Sequence, residues 1–200
     1  LKLLSPKQFG FISGRCTVTQ LLNYLNKCID KIVQNKVVDS IYLDFAKVFD
    51  SVQHNEAYGI SGNVLNWVKA FLTNRTQIVK VNGVQSKSAP VLSGIPQGSV
   101  LGPTLFVIYI NDILDQITSN GFMFADDTKI FREICNKDDA IALQSDIDSL
   151  QEWSKIWLLK FNSTKCHVLT LGRFEDTKYI DTMRYTVDGD ELEHVFEEKD

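Results

Sequence analysis

Three carboxylates offer the clearest chemistry in this sequence. Asp44 lies near the end of Val37 to Phe45, where Ile41, Leu43 and Phe45 alternate with Tyr42 and Asp44. That alternation predicts a half-buried strand and puts Asp44 on the face opposite Ile41 and Leu43. Asp126 and Asp127 sit between two apolar runs, Phe122 to Ala125 and Thr128 to Ile134, which read as the arms of a hairpin with an acidic tip. Adjacent strands lie about 4.8 Å apart. If the strand and the hairpin are neighbours, three carboxylates meet in one small exposed cluster. Like charges that close repel unless a cation neutralises them. Hard carboxylate oxygens suit Mg²⁺. Two such ions about 3.5–4 Å apart can activate an attacking 3′-oxygen and stabilise a leaving pyrophosphate. An Asp-Asp pair also suits a plain surface turn. The buried apolar stem on both sides of the pair argues for more than a turn.

The second informative stretch runs from Ser93 to Pro103, Ser-Gly-Ile-Pro-Gln-Gly-Ser-Val-Leu-Gly-Pro. Its glycines let backbone approach a ligand closely. Gln97 carries both a donor and an acceptor. The loop leads into a helix N-terminus, which favours negative charge. It fits neither a P-loop nor a dinucleotide-binding fingerprint.

The elements that must position these groups can be read from periodicity. Val18, Leu21, Leu22, Leu25, Ile29, Ile32 and Val33 recur at helical spacing within 16–35. A helix is predicted over 63–72. Thr76 to Val81 and Val84 to Val91 flank Asn82-Gly83, a strong two-residue turn signal. Helices are predicted over 102–117, with Pro103 in the first turn, and over 138–157. Cys166 to Leu171 reads as a strand. Arg184 to Val187 and Leu192 to Phe196, around Asp188-Gly189, read as a last hairpin. The order of strand, helix, hairpin, helix and strand predicts an α+β fold, a split β-α-β-β-α-β sheet with its helices on one face.

Composition bounds the alternatives. The chain of 200 residues is 44% hydrophobic, enough for one sizeable core and inconsistent with disorder. Its four cysteines show neither CxxC nor zinc-ligand spacing and read as reduced thiols. No apolar run is long enough to span a bilayer, and no signal peptide is legible. The chain does not begin with Met and reads as a segment of a longer protein. Residues 1–36 hold six Lys or Arg against one acidic residue, whereas 175–200 hold ten acidic residues against three basic ones. The basic segment could meet phosphates, or it could be an ordinary solvated helix face.

Four segments, in order, resemble the reverse transcriptases of non-LTR retrotransposons, jockey-type and related LINE elements. They are Tyr42-Leu43-Asp44-Phe45-Ala46-Lys47-Val48-Phe49-Asp50, then 94–103, then Phe124-Ala125-Asp126-Asp127, then 157–166. Gln8-Phe9-Gly10-Phe11 and Gly14-Arg15-Cys16-Thr17 are similar to the family's fingers segment. The resemblance covers nearly the whole chain. It implies a polymerase palm over 37–174, with a fingers insertion at about 59–92. It also implies a partial fingers segment over 1–36, an acidic hairpin over 175–200, and an absent thumb. It implies RNA-directed DNA polymerase activity in retrotransposition, with an RNA template, a DNA primer and dNTPs as partners and no membrane. Two Mg²⁺ ions, replaceable by Mn²⁺, would be held by Asp44, Asp126, Asp127 and the backbone carbonyl of Phe45. Phe49 would lie under the incoming sugar and exclude a 2′-hydroxyl. Gln97 and Gly98 would line the nucleotide site, and Arg15 would contact the triphosphate. Lys165 would protonate the leaving pyrophosphate. Localisation to nucleus and cytoplasm is implied by the family alone.

The sequence departs from the family in three places. The stretch from Asp50 to Gly59 is shorter at the Glu56–Ala57 junction, Val48 replaces a small Ala, and Phe124 stands where many relatives have Tyr. With the missing thumb, these departures motivate a second reading, a catalytically inactive fragment or degenerate copy that keeps residual nucleic-acid binding.

Overall fold

The computed structural model describes residues 4–54, 60–172 and 184–195. The Glu56–Ala57 junction and Phe196 lie outside the described residues. A sheet of five strands carries the fold. Its strands are β1 (Val37–Leu43), β6 (Asn120–Phe124), β7 (Asp127–Ile134), β8 (His167–Leu171) and β11 (Glu193–Val195), in the order β11-β8-β1-β7-β6. β1 lies between β7 and β8 and is antiparallel to both, with Ile41 opposite Ile130 on one side and Val168 on the other. The four strands from β8 to β6 are the predicted split β-α-β-β-α-β sheet.

The two crossover helices, α4 (Leu101–Tyr109) and α5 (Lys137–Ile156), cover one face. Ile41, Phe106, Ile130, Leu143, Ile147 and Leu150 are fully buried in the core between them. The helix α1 (Thr17–Ile32) lies on the opposite face with its own small core of Tyr24, Cys28, Val38, Phe122 and Phe131. Tyr24 joins Ser40 of β1 through its hydroxyl at 2.7 Å. The sheet is thus covered on both faces, whereas alternation within β1 suggested helices on one. A seven-residue strand with only one partly exposed member, Tyr42, matches burial on both sides.

α5 starts one residue before the predicted 138 and carries a cap. Asn136 accepts the backbone N–H groups of Asp138 and Asp139, and Asp139 reaches back to the N–H of Asn136. The helix predicted over 102–117 is shorter. α4 ends at Tyr109, and a 3₁₀ turn follows at Ile113–Asp115. Between them Asn111 accepts the N–H of Ser5 at 2.8 Å, and Asp112 accepts the indole N–H of Trp153 at 3.0 Å. These short polar side chains satisfy distant donors and end the helix.

The short α2 (Val48–Ser51) follows β1, and α3 (Gly62–Leu72) precedes an interrupted ribbon. In that ribbon β2 (Thr76–Gln77) pairs with β5 (Ala89–Pro90), and β3 (Lys80–Val81) pairs with β4 (Val84–Gln85). Asn82 and Gly83 both have positive φ, the type I′ geometry that the Asn-Gly pair favours. The last predicted hairpin forms only in part. β9 (Thr186–Val187) pairs with β10 (Asp190–Glu191), but 193–195 leaves it to run parallel to β8 at the sheet edge. No helix among the described residues is long and apolar enough to cross a membrane.

Candidate active site

The register of β1 and β7 brings the carboxylates together. Leu43 pairs with Thr128, so Asp44 and Asp127 lie one step further along the two strands, on the face that carries Tyr42 and Lys129. Both line a pocket of about 570 Å³ together with Thr17, Leu21, Lys165 and His167. The turn begins one residue earlier than the sequence suggested. Phe124 pairs with Asp127, so Ala125 and Asp126 form the tip and Asp127 opens β7. Ala125 has φ +54°, a left-handed conformation seldom taken by a residue with a Cβ.

Asp126 is half-buried and Asp127 exposed. Burial raises the Asp126 carboxyl above the usual carboxylate range. The negative charge of Asp44 raises it further, while backbone hydrogen bonding and Lys165 act against the rise. Asp44 is held through its backbone, its carbonyl accepting the N–H of Asn162 at 2.8 Å. Its Oδ2 is shielded from solvent and accepts no hydrogen bond among the described residues. The ammonium of Lys165 lies 3.3 Å from that oxygen, an ion pair at the mouth of the pocket. A shielded carboxylate oxygen met by an ammonium at 3.3 Å, beside a second carboxyl raised by burial and then by the charge of Asp44, fits a divalent cation in place of that ammonium. In the present arrangement Lys165 supplies the counter-charge. No group of three His, Cys, Asp or Glu side chains among the described residues converges as a ready-made metal site.

The other predicted residues fall into separate settings. The Phe45 ring is buried and stacks on Phe161 at 4.4 Å, so only its backbone remains for a ligand. Phe49, in α2, is half-buried, packed on Phe106 at 4.5 Å and edge-on to Phe11 at 6.5 Å. The 93–99 loop is stitched to α2, with Gly94 N–H donating to Val52, Ile95 N–H to Phe49, and the Ser93 hydroxyl to Asp50. A Cβ on Gly94 would come within 2.7 Å of the Asp50 Cα, so only glycine fits this crossing. Gln97 is exposed and donates to Asp50 at 3.4 Å, and Gly98 is exposed with φ +78°. Phe49 and Gln97 therefore belong to one unit. Arg15 faces elsewhere. Its guanidinium donates to the carbonyls of Ser5, Pro6 and Gln8 and lies 5.4 Å from the Phe9 ring centroid.

Sequence reading passed over Lys129 and His167. Lys129 is buried, with its ammonium 4.6 Å from the Tyr24 ring centroid and 4.3 Å from that of Tyr42. His167 stacks on Tyr42 at 4.8 Å. The period-two pattern of β7 puts Lys129 on the Asp127 face and could have flagged it.

A sheet of this topology, with carboxylates where its first strand meets the central hairpin, defines a polymerase palm. The chain belongs to the reverse transcriptase (RNA-dependent DNA polymerase) family, whose pattern matches residues 1–189. It is 30% identical over 210 aligned residues to the RNA-directed DNA polymerase from mobile element jockey of Drosophila funebris, covering 97% of this chain and 22% of that protein. It is also 30% identical to the probable RNA-directed DNA polymerase from transposon X-element of Drosophila melanogaster, covering 79% of this chain and 19% of that one. The chain thus spans about a fifth of the length of these relatives. Among solved structures it is similar to telomerase from Candida Tropicalis in complex with a TWJ fragment of telomeric RNA. The TM-score is 0.61 at 13% identity, over 86% of this chain and 31% of the other. The apo telomerase truncated from its C-terminal domain gives 0.57 at 14% identity, over 94% and 39%. At these identities the likeness is one of fold.

Proposed function

We propose that this chain is the catalytic palm of an RNA-directed DNA polymerase that extends a DNA primer with dNTPs on an RNA template during retrotransposition. The observation that carries the reading is the placing of Asp44 and Asp127 side by side on one sheet face with Asp126 at the adjoining tip. Family membership and the relatives' names support the choice of template and product. Mg²⁺, or Mn²⁺ in its place, would be held by Asp44 and Asp126 with Asp127 and the Phe45 carbonyl. It would supply activation of the primer 3′-oxygen and charge neutralisation on the leaving pyrophosphate. Lys165, ion-paired with Asp44, would move toward the pyrophosphate and donate a proton to it. Phe49 and the Gln97–Gly98 loop, joined through α2, would bound the sugar and base of the incoming nucleotide. Arg15 would reach the triphosphate by exchanging its loop carbonyls for phosphate oxygens.

The reading is tested by single-nucleotide incorporation on an RNA template, with Mg²⁺ titrated against wild type and Asp44→Asn. Incorporation that needs Mg²⁺ and falls to background in Asp44→Asn supports it. Equal incorporation by both proteins would remove Asp44 from the chemistry.

A further inference from the structure

Ala125 sits at the tip of the hairpin that presents Asp126, and it is held from outside the hairpin. Gln8 is fully buried, and its side-chain amide brackets Ala125. The Gln8 Oε1 accepts the Ala125 N–H at 2.9 Å and the Gly10 N–H at 2.7 Å, and the Gln8 Nε2 donates to the Ala125 carbonyl at 3.1 Å. Both acceptor positions of the amide are thereby used. The segment carrying Gln8 is fixed against the edge of β6, with Phe9 N–H donating to Met123 at 2.8 Å and Met123 N–H to Lys7 at 2.9 Å. Gly10 closes the other side. A Cβ there would stand 2.2 Å from the Ala125 nitrogen.

The left-handed conformation of an L-residue costs about 1–2 kcal/mol and persists only where its surroundings over-determine it. Glycine would adopt it freely. Here an alanine is held in it by an amide 117 positions away in sequence. The Ala125 carbonyl belongs to the peptide unit that leads into Asp126, so fixing that carbonyl fixes the direction in which the Asp126 Cα is presented.

We infer that Gln8 is a positioning residue for the metal-binding turn. Its buried amide locks Ala125 in the left-handed region and so sets the Asp126 carboxyl beside Asp44. This rests on the reading of Asp126 as a metal ligand. It adds a role for the Gln8–Gly10 segment that the aspartates themselves do not reveal.

The test separates positioning from folding. Replacing Ala125 by Gly removes the strain of the left-handed conformation, so that part of the clamp's contribution to stability is taken away, while the turn gains freedom to wander. Mn²⁺ binding by the 200-residue chain is followed by electron paramagnetic resonance of the free ion, beside thermal melts, for wild type, Asp126→Asn, Ala125→Gly, and Ala125→Gly with Gln8→Met. The expected result is a double variant that still melts cooperatively, at a lower temperature because Gln8 no longer pairs the backbone of residues 10 and 125, and that binds Mn²⁺ about tenfold more weakly than Ala125→Gly under conditions where both are folded, a change of about 1.4 kcal/mol. A double variant binding as tightly as Ala125→Gly overturns the inference. Gln8→Glu in the wild-type background is the second variant, for it keeps the acceptor and loses the donor. Several-fold weaker Mn²⁺ binding supports the clamp, and unchanged or tighter binding overturns it. Should Asp126→Asn bind Mn²⁺ like wild type, the metal reading falls and takes this inference with it. A loss in Asp126→Asn without one in the Gln8 variants sinks the clamp alone.

Discussion

Replacing Tyr185 by Phe probes how the C-terminal segment is fastened to the palm. Asp39 of β1 is fully buried, although it lies on the core face beside Ile41. Its two oxygens are satisfied from two sides, by the Thr170 hydroxyl at 2.7 Å and the Tyr185 hydroxyl at 2.7 Å. Tyr185 is itself buried, and the residue after it exchanges two hydrogen bonds with Gln144 of α5. Phenylalanine fills the same volume, so no cavity opens, and what is lost is one donor to a buried acceptor. Leaving such an acceptor unsatisfied costs about 1–3 kcal/mol. For a domain of this size each kcal/mol moves Tm by about 2–4 °C, so a loss of about 2 kcal/mol lowers Tm by about 4–8 °C. The assay is urea unfolding followed by far-ultraviolet circular dichroism, with a thermal melt beside it. Thr170→Val removes the other donor to the same carboxyl, so the two changes together are expected to depart from additivity by at least about 0.5 kcal/mol. A Tyr185→Phe chain within about 0.3 kcal/mol of wild type, below the usual cost of a lost buried partner, would refute the idea that Asp39 anchors the segment.

Two further outcomes follow from groups away from the carboxylates. Glu133 is held down to about 2, from an ordinary 4.5, by the Cys135 thiol, Lys31 and Lys36. A depressed carboxyl stabilises above its unfolded value, so wild type should exceed Glu133→Gln by up to about 1 kcal/mol near neutral pH. That difference should fade as pH falls from about 4.5 toward 2, and a difference flat across that window in urea titrations would contradict it. The cysteines should divide by exposure. Burial pushes the Cys28 and Cys166 thiols up to about 11, while the exposed Cys16 thiol is lowered by hydrogen bonding to Thr19 and the exposed Cys135 is raised by Glu133. Iodoacetamide at mildly alkaline pH should label Cys16 first and Cys135 next. Cys28 and Cys166 should react only on unfolding, and early labelling of either, read by peptide mass spectrometry, would contradict the packing.

Much of the palm was legible because its signals are local. The alternation from Val37 to Phe45 put Asp44 on the face opposite Ile41 and Leu43, where the structure has it, and Asn82-Gly83 marked a turn that forms. What failed depended on distant partners. The helix after the glycine loop stops at Tyr109, and Asn111 and Asp112 just beyond it accept from Ser5 and Trp153. The acidic turn begins at Ala125, since Gln8 and Gly10 hold a conformation that alanine would not signal. β11 leaves its expected hairpin partner because the edge of β8 offers a parallel ladder. Periodicity also carries no trace of the bonds that Arg15 donates to the carbonyls of its own loop, contacts that leave its phosphate role open to test.

The polymerase assignment is tested most directly by primer extension on an RNA template with Mg²⁺ and dNTPs, comparing this chain with Asp126→Ala plus Asp127→Ala, each checked for cooperative melting. Extension by the unaltered chain and none by the folded double variant is the expected result. Extension that survives the loss of both carboxylates would contradict it. A folded chain that extends nothing in either form would leave a palm by descent without the activity proposed for it.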